Sequence, residues 1–184
     1  MLKSLKSLKF YTKYYLTNHV IAHIPIHGLR LFWYRRCMKI RIGARSQIWL
    51  GCRFFGDAIA QIEIGSDTVL GYGVTLNAAA PIRIEDHVLI AAGSMVHTAD
   101  HDCQDPNFSV RTAPVTIQSQ AYIASNALIL KGVTLGEGAV VAAGSVVFQD
   151  VKPLAIVAGN PARAVGSRVK GNPPQPILEA PLFC

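Results

Sequence analysis

Protic side chains are concentrated in residues 97–114, which read His-Thr-Ala-Asp-His-Asp-Cys-Gln-Asp-Pro-Asn-Phe-Ser-Val-Arg-Thr-Ala-Pro. A histidine near its unperturbed pKa can accept a hydroxyl proton at neutral pH and return it to a leaving group. A flanking carboxylate, or a carbonyl, can fix the tautomer of such an imidazole, and carboxylates can also hold substrate hydroxyls. His101 is therefore a candidate general base, and Asp100 and Asp102 are candidate partners or substrate ligands. His97 follows the ladder residue Val96 and is a candidate substrate contact.

The sequence that follows repeats with a period of six. A period of six matches neither an α-helix nor a single half-exposed strand, but it is typical of short strands separated by tight turns. Repeats of this length predict a parallel β-helix. Aliphatic residues occupy one slot and small residues the slot four positions later: Ile117, Ile123, Ile129, Leu135, Val141 and Val147, followed by Ala121, Ala127, Val133, Ala139 and Ser145.

The same register occurs upstream of the protic segment. Residues 40–168 are thus predicted to form one all-β solenoid, whose coils bury their aliphatic ladder by stacking on each other. An irregular corner is expected over Phe55–Gln61. Glycines that follow ladder positions (Gly43, Gly65, Gly71 and Gly136) are expected at turns with positive φ. The upstream ladder residues are Ile42, Ile48, Phe54, Ile64, Leu70, Leu76, Ile84, Ile90 and Val96.

The repeat is interrupted between Val96 and Ile117. These two ladder positions are 21 residues apart, and the six-residue spacing fails between them. Residues 97–114 must therefore leave the coils as a loop. Long loops on a rigid scaffold commonly carry functional groups.

Two segments near the end of the solenoid carry a family resemblance. Residues 131–147, and Val157–Val165 with the sequence Val-Ala-Gly-Asn-Pro-Ala-Arg-Ala-Val, resemble the hexapeptide-repeat O-acetyltransferases of the maltose, galactoside, O-antigen and colanic-acid type. The resemblance implies a left-handed parallel β-helix, to which the residues themselves add an N-terminal helical cap and an extruded active-site loop. The left hand rests on the resemblance, because general crossover rules favour the right hand.

The resemblance extends to the protic loop. Thr98-Ala-Asp-His-Asp102 matches the family motif residue by residue, which implies that His101 is the general base for direct acetyl transfer from acetyl-CoA to a saccharide hydroxyl. Asn77, Asp100, Asp102 and Arg111 are the implied acceptor-binding residues. Two structural alternatives stay open: an Arg111–carboxylate clasp that holds the loop, and an asparagine at position 77 that serves only a turn.

The family pattern also places a binding site for acetyl-CoA. Its implied contacts are Ser125, Ala143, Arg163 and Arg168, and no metal is expected. The sequence departs from the pattern at Tyr122, where the family has tryptophan, and at residues 148–149, where Phe-Gln replaces Thr-Lys and removes one cation. Lys152 is a candidate replacement for that cation.

The chain divides into an N-terminal arm (residues 1–39), the solenoid domain (40–168) with loop 97–114, and a proline-rich tail (169–184) to which we assign no function. Helices are expected over residues 2–20 and Leu29–Met38. The formal net charge is +7, and no acidic residue precedes Asp57. The arm is interpreted as a helical cap on the solenoid. Alternatively, it contacts an anionic membrane surface or a lipid-linked glycan. Nucleic acid is not expected, because no binding module is recognised.

Cellular context and assembly are also predicted. No apolar stretch of membrane-spanning length occurs, and the N-terminal lysines interrupt any signal peptide. The four cysteines form no Cys-x-x-Cys pair and suit a reducing cytoplasm. The resemblance implies a homotrimer with active sites between subunits.

Two other functions fit the same scaffold. One is a non-catalytic solenoid that serves assembly or membrane recruitment. The other is a metal enzyme of the γ-carbonic anhydrase kind, since His97, His101 and Cys103 are possible zinc ligands and His87 is a further one. The spacing of these residues and the Phe-x-x-Arg end of the loop favour acetyl transfer.

Overall fold

The computed structural model describes residue 8 and residues 11–169. Residues 11–15 are α-helical and continue as a π-helix, Leu16–Val20, and a 3-10 turn, Ile21–His23. Helix α1 spans His27–Arg36, so it begins and ends two residues earlier than predicted. The start of the predicted first helix and nearly all of the predicted tail lie outside the described residues.

Short parallel strands form three sheets, A, B and C, and the chain passes through them in that order in each coil. A further 3-10 turn, Ile59–Gln61, lies where the chain passes from sheet C to sheet A. Sheet A contains β1 (Arg41–Ile42), β4 (Ile62–Ile64), β7 (Ile82–Ile84), β12 (Val115–Ile117) and β15 (Thr134–Leu135). Sheet B contains β2 (Gln47–Ile48), β5 (Val69–Leu70), β8 (Leu89–Ile90), β13 (Tyr122–Ile123), β16 (Val140–Val141), β18 (Ala155–Gly159) and the antiparallel β19 (Ala162–Ser167). Sheet C contains β3 (Arg53–Phe55), β6 (Thr75–Asn77), β9 (Met95–His97), β14 (Leu128–Ile129) and β17 (Val146–Val147).

The core is the aliphatic ladder. Every ladder residue from Ile117 to Val147 is at most 2% exposed, and the small residues from Ala121 to Ser145 are at most 1% exposed. The aliphatic and the small residues are both buried. Each small residue lies beside a corner between two sheets, where there is no room for a longer side chain. The predicted β-solenoid is therefore confirmed.

The glycines after ladder positions do not have the predicted backbone conformation. Gly43, Gly65, Gly71 and Gly136 are absent from the residues with positive φ, so that prediction was wrong. Their role is steric instead. A Cβ at Gly43 would lie 2.5 Å from the Gly65 carbonyl carbon, and one at Gly136 would lie 2.5 Å from the Pro153 nitrogen. Glycine is required there because the next coil passes directly over it.

The N-terminal arm covers the first coil. Asn18 donates from Nδ2 to the Phe54 carbonyl (3.0 Å) and accepts from the Phe54 N–H (2.9 Å). The buried Arg30 donates to the Ile48 carbonyl at 2.9 Å. Arg35 donates to the carbonyls of Ile42 and Gly43. Side chains of the arm thus bond to the edge of each sheet, where the backbone groups would otherwise lack a strand partner.

The outer faces of the sheets differ in polarity. Because side chains alternate along a strand, the residue before each ladder position faces outward. Sheet A has Arg41, Glu63, Arg83, Thr116 and Thr134 at these positions, whereas sheet B has Gln47, Val69, Leu89, Tyr122, Val140 and Ile156. In sheet B, Gln47 and Val69 are buried within the chain, and the other four are half-buried. The outside of sheet B is therefore mostly apolar. Among the described residues, no helix is long and apolar enough to cross a membrane.

Candidate active site

The protic loop forms a β-hairpin at the corner between sheets C and A. Strand β10 (Ala99–His101) pairs antiparallel with β11 (Val110–Thr112), and the turn closes through a 2.8 Å bond from the Asp102 N–H to the Ser109 carbonyl. At the base of the hairpin, the Ala113 N–H donates to the Thr98 carbonyl at 3.0 Å. The hairpin places His101 near its tip, outside the solenoid.

His101 is exposed and held by Phe108. Its Nδ1 lies 2.8 Å from the Phe108 carbonyl oxygen, and the two rings stack with centroids 4.6 Å apart and an angle of 9° between planes. A carbonyl oxygen only accepts hydrogen bonds, so we assign the proton to Nδ1. Neutral imidazole then keeps the lone pair of Nε2 free, as a general base requires.

The hairpin strands are clasped by an ion-pair cluster. Asp100 and Arg111 face each other across the strands, with 3.0 Å between Arg111 Nε and Asp100 Oδ1. Lys131 Nζ approaches Asp100 Oδ2 at 3.3 Å, and Arg111 also lies 3.5 Å from Asp102. The hydrogen bond from Arg111 holds the pKa of Asp100 below its usual value. The structure therefore contains the Arg111–carboxylate clasp, which the sequence analysis gave as an alternative to acceptor binding by Arg111.

Asn77 belongs to a row of outward residues that leads to the hairpin. Phe55, Asn77 and His97 occupy the same position in β3, β6 and β9, each following a ladder residue. The Asn77 carbonyl accepts from Thr98, both from its N–H (3.1 Å) and from its hydroxyl (2.9 Å). Partial burial lowers the pKa of His97, which favours its neutral form. The row therefore offers neutral polar groups at the base of the hairpin.

Sequence reasoning missed two parts of this site. Phe55 was expected in an irregular corner, but it belongs to β3 and is 37% exposed at the far end of the row. Its position directly after the ladder residue Phe54 was the available signal. Lys131 belongs to the repeat motif of residues 131–147. The spacing of residues in the sequence gave no indication that its side chain approaches Asp100.

The predicted acetyl-CoA residues fall in three places. Ser125 and Ala143 stack on adjacent coils at the corner between sheets B and C, and the Gly144 N–H donates to the Ser125 carbonyl at 2.9 Å. Arg163 lies on the β18–β19 hairpin, with its guanidinium 5.8 Å from the centre of the Phe148 ring. Arg168 lies at the corner between sheets A and B, where it donates to the Gln120 carbonyl at 2.8 Å. The first three are neighbours along one edge of sheet B, and Arg168 is at the opposite edge.

The metal-enzyme alternative finds no ligand set in the described part of the chain. There, no group of three or more His, Cys, Asp or Glu residues is arranged to hold a metal ion. Nδ1 of His101 is instead hydrogen-bonded to the Phe108 carbonyl.

Comparison with known proteins identifies the family. The model named "Hexapeptide repeat of succinyl-transferase" matches residues 61–97 and 114–149, so the unmatched interval between them is the hairpin. A hexapeptide-repeat-containing acetyltransferase from Vibrio cholerae O1 biovar El Tor, solved with acetyl-CoA, is 30% identical with a TM-score of 0.77; the match covers 86% of this chain and 87% of that one. This chain belongs to the hexapeptide-repeat acetyltransferases.

Other members of the hexapeptide-repeat acetyltransferases agree with this assignment. The protein WcaF of Escherichia coli K12, whose name assigns it provisionally to colanic acid biosynthesis as an acetyltransferase, is 30% identical over 110 residues, or 60% of each chain. The galactoside O-acetyltransferase of the same organism is 31% identical over 110 residues, which cover 58% of this chain and 54% of the relative. This chain thus spans about 60% or less of the length of these two curated relatives.

These findings confirm the predicted family. The predictions of an acetyltransferase, and of acetyl-CoA as its co-substrate, agree with the names of these relatives and with the acetyl-CoA in the Vibrio structure.

Proposed function

We propose that this chain transfers an acetyl group from acetyl-CoA directly to a hydroxyl of a saccharide, with His101 as general base. The observation that carries the proposal is the bond between His101 Nδ1 and the Phe108 carbonyl. It leaves Nε2 as the proton acceptor on an exposed side chain at the end of β10, in a hairpin whose strands are clasped by Asp100 and Arg111.

The reaction needs one base and no covalent intermediate on the protein. Nε2 of His101 accepts the acceptor's hydroxyl proton as the oxygen attacks the thioester carbonyl. The tetrahedral intermediate then breaks its carbon–sulfur bond, and the imidazolium returns the proton to the departing thiolate. The products are an O-acetyl ester and CoA. Phe108 stabilises both forms of the ring, because its carbonyl accepts from Nδ1–H throughout.

Acceptor contacts are assigned to residues around this base. Asn77 lies in the row beneath the hairpin, and Asp102 follows His101 directly. Asp100 and Arg111 have side chains 44% and 48% exposed, so they can contact sugar hydroxyls without breaking their ion pair. Polar groups arranged on a rigid scaffold are suited to hydroxyl recognition.

Donor contacts are assigned to the neighbouring edge of the solenoid. Ser125 and Ala143 offer a backbone surface of small residues to the pantetheine, and Arg163 offers a cation to the phosphates. Arg168 lines a shallow cavity of about 320 Å³ with Leu89, Tyr122 and Val140 on the opposite edge of sheet B. A donor that contacts all four residues must therefore span sheet B, or meet Arg168 of another subunit.

A donor that contacts Arg168 of another subunit requires an oligomer, and we infer that it is a trimer. The apolar outer face of sheet B is suited to burial against another subunit. We propose a cytoplasmic homotrimer in which each acetyl-CoA lies between two solenoids.

The direct test is release of the CoA thiol from acetyl-CoA over a panel of mono-, di- and nucleotide-linked sugars. We expect turnover with at least one sugar, and a product whose acetyl group is lost under mild base as an ester's would be. An alkali-stable amide product would contradict O-acetylation. Acetyl-CoA binding without turnover on any sugar would instead favour a lipid-linked acceptor, and an absence of binding would favour the non-catalytic solenoid.

A further inference from the structure

The N-terminal arm turns apolar side chains outward on two helical segments. Leu8, Tyr11 and Tyr15 are spaced to share one helix face, and Leu29 and Phe32 share a face of α1. Tyr15 is 63% and Phe32 60% exposed. The opposite sides of these helices cover the first coil, so the exposed faces are not needed for the solenoid core. We call these two exposed helix faces, formed by Leu8, Tyr11 and Tyr15 and by Leu29 and Phe32, together the arm face.

The sequence that carries the arm face is positively charged. Residues 1–56 contain eleven lysines and arginines and no acidic residue. Arg41 and Arg45 are paired with Glu63 and Asp67 on the coils. By contrast, no described carboxylate lies within ion-pair distance of Lys13, Arg36 or Lys39. Net positive charge therefore remains beside the exposed aromatics.

We propose that the arm face binds the surface of an anionic lipid bilayer. Tyrosine and phenylalanine suit the boundary between headgroups and acyl chains, and nearby lysines and arginines add attraction to anionic lipids. A second copy of the arm fits less well, because two arm faces in contact would bring like charges together. The charge of the arm thus matches a negative lipid surface.

The arm is also hydrogen-bonded to the chain on both sides of Phe55, the first residue of the row that contains Asn77 and His97. Tyr14 donates its hydroxyl to the Gly56 carbonyl, and Asn18 bonds both backbone groups of Phe54. Phe55, between them, is the first residue of the row that continues to Asn77 and His97. A bilayer bound at the arm face would therefore lie near that end of the row, where a lipid-linked acceptor can reach it.

The test is flotation of the full chain with two kinds of vesicle, phosphatidylcholine alone and phosphatidylcholine with about one-third phosphatidylglycerol. We expect binding to the anionic vesicles only, and release at about 1 M salt, where the Debye length falls to about 3 Å. The double variant Tyr15→Ser, Phe32→Ser should lose about tenfold or more in affinity, since each exposed aromatic buries apolar area in the bilayer. The control Tyr72→Ser, Val165→Ser, which removes exposed apolar side chains elsewhere, should bind as the wild type does.

Three results would overturn the proposal. They are equal binding to both vesicles, no binding to either, and an equal loss in the control variant. A lower oligomeric mass of the arm-face variant without vesicles, alongside unchanged flotation, would assign the face to a second copy. Vesicle binding is measured without acetyl-CoA, so the outcome is independent of the proposed acetyl transfer.

Discussion

At the scale of single residues, the proposed chemistry depends on how His101 is held. Its tautomer is set by a main-chain carbonyl and its orientation by the ring of Phe108. The motif around His101 could be matched from the sequence. The carbonyl partner could not, because every residue has a carbonyl and only the hairpin's register brings that of Phe108 to the imidazole.

The stacking of Phe108 on His101 gives the first prediction. Phe108→Ala keeps the carbonyl but removes the ring, and its φ of 49° strains alanine as it strains phenylalanine. An aromatic pair contributes about 0.5–1.5 kcal/mol, so we expect kcat to fall by about two- to tenfold with little change in the KM for acetyl-CoA. Steady-state kinetics measure this. Tyr72→Ala, an exposed aromatic outside the site, should leave kcat unchanged, and equal losses in both variants would count against a role for the stacking.

At the scale of secondary structure elements, the hairpin and the arm are each fixed by a few polar side chains. The hairpin depends on Asp100, Arg111 and Lys131, and the arm on Asn18 and Arg30. The break in the six-residue repeat predicted that residues 97–114 leave the coils. It did not predict paired strands, since Ala99–His101 and Val110–Thr112 are too short to show a strand pattern. The roles of Asn18 and Arg30 were also hidden, because they bond to backbone groups far away in the sequence.

The clasp gives a prediction for the hairpin. Asp100→Asn removes the charge that pairs with Arg111 and Lys131, so amides of residues 99–112 should exchange faster with solvent while those of the solenoid strands do not. Hydrogen–deuterium exchange with mass spectrometry measures this. Glu63→Gln breaks the surface pair with Arg41 and is the matched control. Unchanged exchange in the hairpin of Asp100→Asn would show that the clasp does not order it.

The wild-type hairpin should show the same loosening in acid. Because Arg111 lowers the folded-state pKa of Asp100, the stabilising effect of the pair is complete above the unfolded pKa of about 4 and is lost as the pH falls through the lower folded value. Exchange in the two paired strands, residues 99–101 and 110–112, corrected for the intrinsic pH effect, should rise in that window. Asp100→Asn should lack this rise, and a rise that persists in the variant would assign it to another group.

The arm gives a prediction of stability. Asn18→Ala leaves the buried N–H and carbonyl of Phe54 without their side-chain partner, which should lower the free energy of unfolding by about 2–4 kcal/mol. Urea denaturation followed by circular dichroism measures the change. Gln104→Ala removes an exposed amide in the hairpin and should change stability little. A similar, small effect of both substitutions would mean that water replaces Asn18 at the edge of β3.

At the scale of the whole molecule, the repeat specifies the solenoid and the face polarities point to assembly. The aliphatic ladder predicted the coils because burial in every coil requires the same residue type at the same position. The outward faces carry no such periodic signal, and the apolar side of sheet B became visible only once its strands were in register. The positive-φ prediction for the glycines failed for a related reason: their constraint comes from the coil above, not from their own turn.

The proposed trimer is tested by charge placed on that apolar face. Leu89→Lys, at the centre of the outside of sheet B, should give the mass of a single chain, because a buried lysine without a partner disrupts an interface. Thr116→Lys places the same charge on the polar outside of sheet A and should keep the trimer. Light scattering coupled to size-exclusion chromatography measures the masses. A wild type of monomer mass, or a trimer that tolerates Leu89→Lys, would contradict this arrangement.

The role of His101 as general base is tested by comparing acetyl transfer by the wild type, His101→Ala and His23→Ala on one accepted sugar. His23 is an exposed histidine of the arm and serves as the matched control. Removing a general base should lower kcat by about 10²-fold or more, whereas His23→Ala should match the wild type. Retention of wild-type turnover by His101→Ala, with folding verified by circular dichroism, would contradict the assignment of His101 as the base.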